Sequence, residues 1–219
     1  DVNFPSAGGI NRTGANVADY QQPVYQGNYL TGILAAGLTQ SGTLGGIGAF
    51  DIPPCHAQLE AFKLGAQSDN PDITMVTTYT GDWIDVQKGQ EAAQAQADQG
   101  ADVFAPCGEG PALGAINVAQ DNGLYAIGNI GDMSSLAPES VYASTLMVYE
   151  HIWGQMVDDV TAGSFQPGKF YEVSFGNGAL DVALNEATTA DIDPAILETF
   201  EETFADIRSG AFEVPFIGQ

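Results

Sequence analysis

Acidic and aromatic side chains recur in four glycine- or proline-bearing stretches of this 219-residue sequence. The first is Ala49-Phe50-Asp51-Ile52-Pro53-Pro54-Cys55-His56 and the second Tyr79-Thr80-Gly81-Asp82-Trp83-Ile84-Asp85. The third is Pro106-Cys107-Gly108-Glu109-Gly110-Pro111 and the fourth Asn129-Ile130-Gly131-Asp132-Met133. An aromatic face with carboxylate and amide groups around it suits a flat, hydrogen-bonding, uncharged or cationic small molecule. The candidate ligand-binding residues are therefore Phe50, Asp51, Asp82, Trp83, Gly108, Glu109, Asn129 and Asp132. Plainer roles compete for several of them. Trp83 can be a loop anchor and Phe50 a core residue. Asp51 and Asp82 can cap the helices that follow, and Glu109 can sit at a helix start ahead of Pro111.

Patterns for bond-making chemistry are missing from the sequence. It has no Gly-x-x-x-x-Gly-Lys-Ser/Thr phosphate loop and no Gly-x-Ser-x-Gly elbow. Glycines 42, 45, 46 and 48 fall within a strand, whereas a dinucleotide fingerprint opens the helix after it. His56 and His151 are far apart in sequence, and no Cys-x-x-Cys or Cys/His cluster points to zinc. The expectation is a binding protein with no catalytic residues, no metal and no cofactor. Whether Cys55 and Cys107 pair is left open by composition.

The elements that must position these loops are legible as a repeat. Apolar β-rich runs at Thr43–Gly48, Asp72–Thr78, Ala101–Ala105 and Leu124–Gly128 start 29, 29 and 23 residues apart. Between them Pro54–Gln67, Val86–Gln99 and Pro111–Asp121 have helical periodicity or composition. Strand and helix alternating at this pitch predict βαβ units around a parallel sheet, covered on both faces, over residues 42–140. In such sheets ligands bind at the carboxyl ends of the strands, where the four stretches lie. Flanking this, Tyr25–Thr39 reads as a helix, Val2–Phe4 and Val17–Tyr20 as strand fragments, and Met147–Ala162 as an amphipathic helix. A β-rich run at Phe170–Phe175 precedes the turn Gly176-Asn177-Gly178, and Asp193 caps a last helix begun by Pro194.

Five Lys+Arg against 28 Asp+Glu give a formal charge of −23, which disfavours nucleic acid as a partner. The imbalance reads as a solubility adaptation, suited to a saline medium in which self-repulsion is screened. Apolar runs fall far short of the ~20 residues needed to cross a bilayer. The first residue is Asp1, so the expectation is a processed, trimmed or incomplete chain with any targeting signal out of view.

Several segments in order resemble the basic-membrane-protein family of substrate-binding proteins for ABC importers, a group that includes purine nucleoside receptors. They are Asn16-Val17-Ala18, Gln26-Gly27-Asn28-Tyr29-Leu30-Thr31-Gly32, residues 41–48, Phe62-Lys63-Leu64-Gly65-Ala66 and Asn70-Pro71-Asp72-Ile73. Tyr79-Thr80-Gly81-Asp82-Trp83 with Lys88-Gly89, residues 98–103 and residues 123–128 complete the set. The resemblance implies a periplasmic-binding-protein type I fold: two Rossmann-like, doubly wound α/β lobes joined by a hinge. On that reading residues 1–41 and 141–168 are the remainder of an amino-terminal lobe that is incomplete in this chain. Residues 42–140 and 169–219 form the carboxyl-terminal lobe.

The resemblance further implies an extracytoplasmic receptor, periplasmic or lipid-anchored on the outer face of the cell membrane. It would deliver a purine nucleoside or base to an ABC permease; a signalling sensor or an α/β enzyme acting on a nucleoside are the alternatives. Nucleoside-binding relatives carry an acidic pair flanking a Ser after Ile127-Gly128 and a Lys near the position of Met147. Here Ile130 takes the first acid's place, only Asp132 remains, and Met147 replaces the Lys. These departures favour a ligand with fewer hydroxyls, such as a free purine base, because a site lacking hydrogen-bond partners rejects a sugar. Under the 2-1-3 strand order implied by this fold, Cys55 and Cys107 follow neighbouring strands, which makes a disulfide between them an expectation.

Overall fold

The computed structural model describes residues 3–8, 14–190 and 192–219. The chain divides into two compact units, one of residues Val24–Leu146 with Val182–Gln219 and a smaller one of Asp1–Pro23 with Met147–Asp181.

In chain order the elements begin with β1 (Phe4–Ala7), β2 (Val17–Tyr20), α1 (Tyr25–Leu38), β3 (Thr43–Gly48) and α2 (Pro53–Asp69). Then come β4 (Thr74–Tyr79), α3 (Val86–Ala97), β5 (Val103–Cys107), α4 (Glu109–Asn122), β6 (Tyr125–Gly128) and β7 (Val141–Met147). The chain finishes with α5 (Tyr149–Ala162), β8 (Phe170–Tyr171), β9 (Leu180–Leu184), the single turn α6 (Glu186–Thr189) and α7 (Pro194–Ser209).

The larger unit is built on a six-stranded sheet of order β4-β3-β5-β6-β7-β9. Its first five strands pair in parallel, with Gly48 opposite both Tyr79 and Cys107. The 2-1-3 order thus appears as β4-β3-β5, and the alternating elements of residues 42–140 form as the periodicity predicts. Strands β3 and β5 carry nothing polar inward because helices cover both faces: α1 packs on α2, and α3 packs on α4. Leu44, Ile47, Phe62, Val103, Phe104 and Ile116 are shut from solvent. The helix pair α1/α2 approaches closely enough that a Cβ on Gly32 or Gly65 would strike the Phe62 or Tyr29 carbonyl.

Three boundaries differ from the sequence-based expectation. Helix α1 belongs with the larger unit, not with a lobe of residues 1–41: it packs on α2 and α7, and the fully buried Tyr142 of β7 donates from its hydroxyl to the Thr31 carbonyl at 3.0 Å. Burial raises the Tyr142 pKa well above the usual phenol range. Residues 141–146 are the fifth parallel strand of that same sheet rather than part of the other lobe. The third difference is that residues 169–181 fall in the smaller unit. Met147 ends β7, so the amphipathic helix begins two residues later, at Tyr149. The far end behaves as read: the Asp193 side chain accepts from the Ala195 N–H, and Gly210 closes α7 at φ +79. The strand fragment at Val17–Tyr20 forms; of Val2–Phe4, Val2 lies outside the described residues.

The smaller unit holds the parallel sheet β1-β2-β8 and helix α5. Phe4 (54% exposed) and Trp153, Val157 and Val160 on α5 border a cavity of about 400 Å³. The end of α5 is clipped to β8 through Asp159, which accepts from Lys169 Nζ, from the Tyr171 hydroxyl (2.6 Å) and from Ser164 Oγ (3.1 Å). Lys169, with help from Tyr171, holds the Asp159 carboxyl down to about 2, while burial and Asp159 push the Tyr171 hydroxyl up. A carboxylate whose folded pKa is depressed stabilises fully above its unfolded value near ~4 and loses that contribution as pH falls towards 2. Asp159→Asn is expected to lower stability at pH 7, with the deficit shrinking between pH 4 and 2. Denaturation of parent and variant across that range checks it; a deficit that does not change with pH would sink it.

Charge is unevenly balanced over the molecule. The ion pairs among the described residues are Lys63–Glu60, Lys88–Asp82 and Lys169–Asp159, against a formal charge of −23. Raising ionic strength from 0.01 M to 1 M shortens the Debye length from about 30 Å to about 3 Å, which screens repulsion among carboxylates more than it weakens these few pairs. The thermal midpoint is expected to rise by roughly 3 °C or more over that range. A flat or falling midpoint in potassium chloride would show that self-repulsion is not a significant cost.

Candidate functional site

Three loops leave the carboxyl edge of the larger unit's sheet side by side, because β4, β3 and β5 are neighbours. Backbone hydrogen bonds link them: Thr80 N–H to Gly48 O (2.8 Å), Gly81 N–H to Ala49 O (2.7 Å), Ala49 N–H to Cys107 O (2.8 Å) and Gly110 N–H to Trp83 O (2.8 Å). The result brings Phe50, from the first loop, against Trp83, from the second, with ring centroids 5.5 Å apart and planes tilted by 51°. Trp83 remains 41% exposed. Gly108 begins α4 at φ +118, a conformation that favours glycine. A Cβ on it would lie 3.2 Å from Trp83 Cε3 and 3.0 Å from the Ala49 Cβ, so the indole rests over bare backbone.

The carboxylates of the site are mostly engaged in shaping it. Asp82 Oδ1 accepts from the Ile84 N–H (3.0 Å) and the Asp85 N–H (3.2 Å), and Oδ2 lies 3.8 Å from Lys88 Nζ. The Ile84 hydrogen bond leads the causes that lower the Asp82 pKa. Helix α3 is capped instead by Asp85, whose side chain accepts from the Lys88 N–H. Asp132 Oδ1 accepts from the Ser134 N–H (2.9 Å) and starts a short 3-10 turn over Ser134–Leu136. Asp51 is exposed and accepts from the Tyr79 hydroxyl, whose pKa is raised first by burial and then by the Asp51 charge. Glu109 is exposed in the first turn of α4.

The fourth loop, after β6, has a different character. Asn129 is 7% exposed and its Oδ1 has no hydrogen-bond partner, an expensive condition for a buried amide oxygen. Ile130 follows at φ +65, where a β-branched side chain is strained. Strand β7 holds this turn: Thr145 Oγ1 donates to the Gly128 carbonyl (3.4 Å) and accepts from the Ile130 N–H (3.5 Å), while Ser144 Oγ accepts from the Met133 N–H (3.1 Å). Close by, a Cβ on Gly27 would meet Thr145 Cγ2 at 2.8 Å. The neighbouring Asn28 in the first turn of α1 is fully buried with both amide atoms unpaired. In the sequence Asn28 stands out only as part of the family-like segment of residues 26–32, since Gln26 and Thr31 on the same helix are polar as well.

Phe50, Asp51, Asp82, Trp83, Gly108, Glu109, Asn129 and Asp132 therefore all lie on loops or helix starts along one sheet edge of the larger unit. Met147 is buried and belongs to the residues of the smaller unit. Beneath the loops Cys55, in the first turn of α2, is disulfide-bonded to Cys107 at the end of β5, with Cα atoms 5.4 Å apart. Among the described residues no group of three or more His, Cys, Asp or Glu side chains is placed to hold a metal ion. No helix among them is long and apolar enough to cross a membrane.

Comparison with known proteins places this arrangement in a family. A purine-binding protein of Brucella abortus is 33% identical over 218 residues, covering 100% of this chain and 60% of that protein. A putative ABC transporter glucose-binding protein of Haloferax volcanii is 30% identical over 171 residues, 78% of this chain and 43% of its own length. The chain thus spans about half the length of the curated relatives it matches. A solved solute-binding protein of an ABC transporter system from Aeropyrum pernix K1 shares the fold, with a TM-score of 0.83 at 21% identity over 97% of this chain and 71% of that one. The profile of the Bmp family, described as ABC transporter substrate-binding protein, PnrA-like, matches residues 1–200. With that match over most of its length, the chain belongs to the PnrA-like family of ABC transporter substrate-binding proteins.

Proposed function

We propose that the chain is part of an extracytoplasmic receptor that binds a purine base and presents it to an ABC permease, without making or breaking a bond. The observation that carries this reading is the pairing of a half-open Trp83–Phe50 aromatic surface with a buried Asn129 oxygen that lacks a donor, on the same sheet edge. A planar heterocycle offers a π-face to the first and an N–H to the second. Asp82 Oδ2, Asp132 and Glu109 are the carboxylates left to take further N–H groups. The name of the Brucella relative supports a purine, and the buried disulfide supports an oxidising compartment outside the cytoplasm.

Ile130 and Met147 favour the base over its nucleoside. Both are apolar where the resemblance expects ribose-facing polar groups, and sugar hydroxyls buried against them would go unpaired. Binding isotherms with adenine, guanine, hypoxanthine, xanthine, their nucleosides and glucose test the proposal. A base binding at least about tenfold tighter than its nucleoside, a difference of about 1.4 kcal/mol, supports it. Preference for a nucleoside overturns the assignment of Ile130 and Met147, and preference for glucose overturns the ligand class.

A further inference from the structure

The disulfide sits where it can govern the site. Cys107 directly precedes Gly108, over which the Trp83 indole lies, and Cys55 sits in the first turn of α2, just past the loop that carries Phe50. Both sulfurs are sealed from solvent, with Cys55 0% and Cys107 3% exposed. A reductant reaches such a bond only when the structure opens, so it is suited to a fixed tether rather than a reversible switch. Beyond the sheet, the first and third loops share the backbone hydrogen bond from Ala49 N–H to Cys107 O, and the bond from Gly110 N–H to Trp83 O hangs the second loop, with its indole, on the third. Gly81 at φ +73 and Gly108 at φ +118 place on either side of Trp83 two residues whose lack of a Cβ leaves other backbone conformations open to them.

We propose that the Cys55–Cys107 bond is a positioning element for ligand binding: it holds the first and third loops together so that the Phe50–Trp83 surface is formed before the ligand arrives. This rests on the reading that the surface takes a flat heterocycle. Without the tether the loops sample arrangements in which Phe50 and Trp83 are apart. Apparent affinity then drops by the fraction of molecules that remain competent. The loss appears in the association rate, because the complex once formed has the same contacts.

The test uses the whole chain with Cys55→Ala/Cys107→Ala, and as ligand the purine base that binds the parent most tightly. Tryptophan fluorescence in a stopped-flow mixer is expected to show an apparent association rate lower by about tenfold, with dissociation nearly unchanged. Ile73→Ala, a buried substitution just before β4 at the opposite edge of the sheet, controls for lost stability and should bind as the parent does. Independently of any ligand, the Trp83 indole N–H resonance should broaden or split in the double variant while that of Trp153 stays sharp. If Cys55→Ala/Cys107→Ala does not fold, Cys55→Val/Cys107→Ala refills the buried volume and is read in the same way. An unchanged Trp83 resonance, or an association rate within twofold of the parent, overturns the inference. If no purine binds the parent while Trp83 loosens in the variant, the purine reading falls and the positioning role stands.

Discussion

Replacing Trp83 by alanine is expected to weaken binding of the purine base by roughly 5- to 150-fold, about 1–3 kcal/mol, the usual worth of an aromatic side chain stacked on a base. The expectation follows from where the indole is held. Its backbone carbonyl is fixed by the Gly110 N–H, and one face lies over the glycine at 108, where a Cβ would come within 3.2 Å. Phe50 supports the ring at 5.5 Å, yet 41% of the residue stays open to solvent. A loop anchor with no other purpose would gain from burying more of that surface. Because the ring is half exposed, its removal should cost the fold far less than deletion of a buried aromatic, which runs to about 3–5 kcal/mol. Trp83→Phe should recover most of the affinity. Titration calorimetry on the three proteins decides the matter: equal affinity for parent and Trp83→Ala would refute stacking, and a loss explained by global unfolding would show up as lost helicity.

The contrast between Trp83 and the carboxylates shows what a sequence can carry. The alternation of strands and helices over residues 42–140 is periodic, so the order β4-β3-β5 and the edge on which the loops emerge were legible. Strand β7 was not. Ser144 and Thr145 break its apolar run, and they are buried only because their hydroxyls satisfy the turn after β6. Helix α1 is legible as a helix, but its place in the larger unit is not. Its apolar residues, Leu30, Ile33, Leu34 and Leu38, show that it must be buried but not against what, and the close approach to α2 at Gly32 and Gly65 leaves no side-chain signal. At the site, residue type pointed to the right loops but not to the division of labour within them. Asp82 resembles a ligand contact in sequence, yet one of its oxygens is spent on the Ile84 and Asp85 N–H groups. Asn129 becomes distinctive only when burial leaves its oxygen without a donor, and Ile130 only when its φ is known. Those are tertiary facts.

Removing the disulfide is expected to lower the stability of the larger unit about as much as deleting one of its buried aromatic side chains. Cys55 and Cys107 are 52 residues apart, and cross-linking a loop of that length lowers the entropy of the unfolded chain by an amount worth about 4 kcal/mol at 25 °C. The enclosed segment runs from the first turn of α2 through β4 and α3 to the end of β5, two of the sheet's six strands and a helix from each of its faces. Unfolding must therefore release a closed loop, not an open chain, whichever element opens first. For a unit of this size about 4 kcal/mol corresponds to roughly 8–16 °C in the thermal midpoint. Calorimetry of Cys55→Ala/Cys107→Ala should show that displacement in the larger unit's transition, while a transition from the smaller unit, which contains neither cysteine, stays in place. Adding a reductant to the folded parent at low temperature should do little for hours, since both sulfurs are buried, and should reproduce the variant's midpoint once the protein has been unfolded and refolded under reducing conditions. A midpoint within about 2 °C of the parent would mean that the unfolded chain already keeps these residues together, and the bond would then matter for the loops it ties more than for the fold.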